Sequence, residues 1–158
     1  MAEPQELPLR SPVMEINGLP AHPLLVHLVV VLLPLTALAA ILVSLWPAAQ
    51  RKLTFLVPLG AVIGAVAVPI TTRAGESLAD SMGNPPFISQ HEEYGEKVLP
   101  WAVALAVTTI AQWLYLRRGD AKLVRILLSL AVIATAAGTT LYVFLTGDSG
   151  ARAVWESK

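Results

Sequence analysis

Three histidines, His22, His27 and His91, hold most of the ligand chemistry available to this 158-residue chain. A neutral imidazole binds haem iron, zinc or copper through one ring nitrogen. His22 and His27 bracket the segment His22-Pro23-Leu24-Leu25-Val26-His27, and His91 opens a charged run that includes Glu92, Glu93 and Glu96. Asp148 stands in the stretch Thr146-Gly147-Asp148-Ser149-Gly150. With Glu92 it offers a carboxylate to complete an imidazole site for Zn²⁺ or Cu²⁺. Cysteine is absent, which excludes disulfides, thiolate zinc sites, cysteine-held iron–sulfur clusters and covalently attached c-type haem. No phosphate loop or nucleotide motif is present, and Ser149 beside Asp148 has no base fixed next to it. A hydrolase or kinase therefore has no support.

The elements that must position these residues are apolar. The chain is 55% hydrophobic and 14% charged, whereas soluble domains carry about 25% charged residues. Net charge is zero, so nothing points to nucleic acid. About 20 apolar residues span a bilayer core, and four segments qualify: Pro23 to Trp46, Leu53 to Thr72, Val98 to Leu116 and Ile126 to Thr146. The first is too long for a signal peptide and follows an acidic leader with Glu3, Glu6 and Glu15, so it reads as a retained span. Short loops make successive helices antiparallel neighbours. The fold class is all-α, an up-down bundle of four transmembrane helices over 23–146, with a leader at 1–22 and a tail at 147–158.

Basic residues accumulate in short cytoplasmic loops. Loops one and three hold Arg51, Lys52, Arg117, Arg118, Lys122 and Arg125 against Asp120 alone. The leader, second loop and tail are net acidic. Both termini and all three histidines accordingly face the non-cytoplasmic side of a plasma membrane. Gly60 and Gly64 form a GxxxG pair that serves either packing within the bundle or a homodimer. Ser89 and Glu92 are spaced as a capping box, placing the next helix start near Gln90. Gly147 and Gly150 are expected to break the last helix, so that the tail either folds over the bundle mouth and carries Asp148 to the histidines or is a frayed end carrying an interfacial Trp155.

His27 lies one turn inside the first span, where an ionisable group is a candidate functional residue by default. A backbone carbonyl or interfacial water is the alternative partner. For His22, ahead of a helix-opening proline, and His91, on a charged turn, simple solvation is the plainer reading. By depth, His22 matches His91 better than His27 does, because His27 and His91 differ by over ~10 Å of helical rise.

The segments His22-Pro23-Leu24-Leu25-Val26-His27 and Thr146-Gly147-Asp148-Ser149-Gly150-Ala151-Arg152-Ala153-Val154-Trp155 resemble a bacterial membrane-protein family known only as a domain of unknown function. Its members resemble four-helix bundles that open helix one with HPxxVHFP and close with GHSGAxxVW, often with a histidine before helix three, matched here by His91. Two departures stand out: Leu28-Val29 follows His27, and Asp148 replaces the tail histidine. The resemblance implies a bacterial inner-membrane protein and, through the association of related chains with Rieske domains, a link to membrane electron transfer.

Three functions compete. One is a redox protein with a single b-type haem near the outer face, since cofactors bind between facing helices of bundles. Only three histidines, all on one side, rule out a two-haem wire. The second is a divalent-metal site drawn from His22, His27, His91, Asp148 and Glu92. The third is a non-catalytic accessory subunit of a larger, for instance respiratory, membrane complex. A transporter has less support, because no span carries a central charge.

Overall fold

The computed structural model describes residues 13–155. The start of the leader and the end of the tail lie outside the described residues. The described residues open with a two-stranded hairpin, β1 (Glu15–Ile16) and β2 (Leu19–Pro20). Its turn, Asn17-Gly18, has both residues at positive φ, 52° and 78°, the requirement of the tight hairpin turn that matches strand twist. Five α-helices follow: α1 (Ala21–Leu45), α2 (Pro47–Leu53), α3 (Leu56–Ser81), α4 (Ser89–Leu116) and α5 (Lys122–Trp155). Four of them, all but the short α2, are long and apolar enough to cross a membrane.

Local chemistry sets the boundaries. Pro23 falls in the first turn of α1, where its missing N–H is not needed. Trp46 ends α1 in an extended conformation, as the residue before Pro47 must. The basic loop after Trp46 is itself the helical turn α2. Beyond α3, Gly83 (φ 79°) and Asn84 (φ 51°) reverse the chain, and Pro85-Pro86 blocks further α-helix. A 3-10 turn, Pro86–Ile88, then runs directly into α4. The capping box does not form: Ser89 is already helical, and its N–H bonds the Pro86 carbonyl. The 3-10 turn satisfies the first donor that a serine cap would have taken.

The four long helices form a square. α1 and α4 each pack on α3 and α5, and α1 faces α4 across the diagonal. Gly64 meets Leu33 of α1, and Gly60 meets Thr36. The GxxxG face therefore packs against α1 within the bundle. The interior holds two apolar clusters, one around Ala37, Ala61, Leu105 and Val132, the other around Leu33, Val68, Ala102 and Val143. Large residues such as Val31, Leu35 and Phe144 point outward, the arrangement of a bundle in lipid, where small residues and close packing hold helices together. Threonines inside the spans return their hydroxyls to carbonyls one turn back, as Thr71 does to Ala67 and Thr146 to Tyr142. Among the described residues no buried side-chain polar atom lacks a partner.

The square is internally repeated. Every buried position of α4 pairs with a buried position of α1 at a constant separation, the same as that between His22 and His91: Val29 with Val98, Leu33 with Ala102, Thr36 with Leu105, Ala37 with Ala106, Ala40 with Thr109 and Val43 with Gln112. α3 and α5 match at most of theirs, at the separation of Thr71 from Thr146: Val57 with Val132, Ala61 with Ala136, Gly64 with Thr139, Val68 with Val143 and Ala74 with Ser149. Two helix hairpins of the same orientation thus stand side by side about a pseudo-two-fold axis along the bundle. The side-chain identities have diverged further than the burial pattern.

Candidate histidine site

His22 sits at the start of α1 and His91 at the start of α4, on diagonally opposed helices. Their rings meet across the bundle with centroids 6.2 Å apart and planes at 87°. Each is tied to a neighbouring helix. His22 Nδ1 lies 2.9 Å from the carbonyl oxygen of Thr71 on α3, and His91 Nδ1 lies 2.8 Å from that of Thr146 on α5. A carbonyl only accepts, so each Nδ1 carries the proton and donates it. In the neutral ring this leaves Nε2 with the lone pair, free to bind a metal.

A glycine one turn beyond each threonine makes these contacts possible. A Cβ at Gly75 would stand 2.9 Å from both Cε1 and Nδ1 of His22. One at Gly150 would stand 2.9 Å from Nδ1 of His91. The chain therefore builds the same device twice: histidine on one helix, threonine carbonyl and glycine on the next. Pinning of the protonated nitrogen by a carbonyl is how metal-ligating histidines are oriented.

The other sequence-derived candidates lie elsewhere. His27 is exposed on the outer face of α1, and its Nδ1 bonds the Pro23 carbonyl of its own helix. Its symmetry counterpart on α4, Glu96, is also exposed. Asp148 pairs with Arg152 at 2.9 Å, and Glu92 is exposed. Among the described residues no three His, Asp or Glu side chains converge as a metal cluster. The structure thus brings His22 and His91 together, and neither His27 nor Asp148 with them. Asp148 does not fold back because α5 runs unbroken through Gly147 and Gly150 to Trp155. Glycine weakens a helix by only about 1 kcal/mol, and here Gly150 is occupied by the His91 ring.

Sequence reasoning missed Gly75, Gly150 and the two carbonyls. The only available signal was the repeated pattern of Thr71 with Gly75 and Thr146 with Gly150. It also missed Gln112, buried at the far end of the bundle, whose Nε2 donates to Ser44 Oγ at 3.0 Å and Ser129 Oγ at 3.3 Å. These residues line a cavity of about 150 Å³ that Gln50 and Arg125 also border.

No curated protein and no solved structure matches the chain. The family described as Predicted membrane protein (DUF2231) matches residues 18–158, a span that includes all four long helices and both histidine devices. Four helices long and apolar enough to cross a membrane suit that description, and this chain belongs to the DUF2231 family of predicted membrane proteins.

Proposed function

We propose that this protein holds one redox-active transition-metal centre between His22 and His91, at the outer face of a bacterial plasma membrane. The observation that carries the reading is the matched pair of rings 6.2 Å apart, each with Nδ1 committed to a carbonyl. A metal–nitrogen bond of about 2.0–2.1 Å, with the short step from ring nitrogen to ring centre, separates the centroids of two imidazoles on opposite sides of one metal by roughly 6.3 Å. Two histidines that merely needed solvation would not each require a glycine on the adjacent helix. The outward orientation rests on the six basic residues gathered in the two loops at the opposite end. A centre so placed offers one-electron exchange with a partner at the outer surface.

The test is elemental analysis of the full chain, purified in mild detergent from cells grown with ample iron and copper. The expected result is about one transition-metal atom per chain in the native protein, and none in the His22→Ala/His91→Ala double variant. Metal-free native protein at full recovery would overturn the reading.

A further inference from the structure

We infer that the centre is a single b-type haem with His22 and His91 as its two axial ligands, an inference that rests on the two-imidazole reading above. Three observations separate a haem from a bare ion. The first is ligand number. A bare Zn²⁺ or Cu²⁺ takes further protein donors, and among the described residues no third histidine or carboxylate joins the pair. A haem brings four equatorial nitrogens and asks the protein for the two axial ones alone. With no cysteine in the chain, the group is held by ligation and packing, without thioether bonds.

The second is the placement of the glycines. The ligands occupy one diagonal of the square, α1 and α4. The layer midway between the rings therefore runs out towards the other diagonal, α3 and α5. At that level these helices present Gly75 and Gly150, whose missing Cβ atoms point at the rings. A side chain at either position would strike the Nδ1–Cε1 edge of its own histidine and push that ring towards the layer that a macrocycle has to enter. The third is the floor beneath. Two turns deeper, Val29 and Val98, with Val68 and Val143, form two symmetry-related pairs of buried valines. They give an apolar seat to an apolar macrocycle and offer a bare cation nothing. The pseudo-two-fold axis passes between the rings, so the two halves of the chain supply equivalent ligands to a centre that accepts identical donors on opposite sides.

The test uses the full chain in mild detergent, from haem-replete cells, with absorbance recorded oxidised and dithionite-reduced, and haem counted as the pyridine haemochrome. The expected result is about one b-type haem per chain, with a Soret band and resolved α and β bands on reduction. Gly75→Leu and Gly150→Leu, checked for monodispersity, are each expected to lower haem content at least tenfold, and His27→Ala to retain it. If either leucine variant is not recovered folded, the native spectrum still decides. A transition metal bound at one per chain with no Soret band would overturn the haem and leave the two-imidazole reading standing. Neither metal nor Soret band at full recovery would overturn both.

Discussion

At the scale of the residue, the glycines are more informative than the histidines. An imidazole can be satisfied in many ways, as His27 shows by bonding its own helix. A glycine whose added Cβ would collide with a ring from another helix is there for that ring. Gly138 provides an independent check. Its Cβ would lie 2.2 Å from Cε3 of Trp101, whose indole stacks on Tyr142 with centroids 6.2 Å apart. Gly138→Ala is expected to destabilise the protein by about 1–3 kcal/mol, the usual cost of overpacking. Thermal unfolding in detergent reads this, and an unchanged midpoint would contradict the packing. The three histidines were legible in the sequence because an ionisable group beside an apolar run is conspicuous. Their glycine partners were not, because a contact between helices far apart in the chain leaves no local trace. Asp148 was misplaced for a related reason: its partner Arg152 sits one turn along a helix that the neighbouring glycines seemed to end.

At the scale of the element, α5 shows how far the sequence signals carry. Its apolar run was readable, but the helix begins at Lys122, one turn before that run, and Gly147 and Gly150 resemble a terminus. The helix continues because each peptide keeps its bond one turn back, at a modest propensity cost. A Cβ at Gly147 would meet nothing within 4 Å. Gly147→Ala is therefore expected to stabilise the protein by up to about 1 kcal/mol, seen as a raised unfolding midpoint. A broken helix at this point would give a drop instead. The α1–α3 pair argues the opposite way. A Cβ at Gly64 would stand 2.3 Å from Cδ2 of Leu33, and Leu33 is fully buried. Gly64→Ala is expected to destabilise by about 1–3 kcal/mol without altering the mass of the particle in detergent. A change in oligomeric state with no loss of stability would mean that the GxxxG face serves a dimer after all.

At the scale of the whole molecule, the up-down bundle was legible because four apolar runs of spanning length joined by short loops leave few alternatives. The pseudo-two-fold axis was not, since the two hairpins share burial positions while few of their residues agree. The orientation is open to a direct check. With no native cysteine, Gly83→Cys and Asp120→Cys each carry a single thiol. A membrane-impermeant maleimide added to intact cells is expected to label position 83 and to reach position 120 only after lysis. The reverse pattern would place the histidines on the cytoplasmic side. The symmetry also gives the sharpest test of the proposed site, because it makes His22 and His91 equivalent and leaves His27 outside. The measurement is the metal content per chain of three purified single variants, His22→Ala, His91→Ala and His27→Ala, beside the native protein. The predicted result is equal and near-complete loss in the first two and native content in the third. Loss in His27→Ala with retention in either of the others would contradict a centre held between His22 and His91.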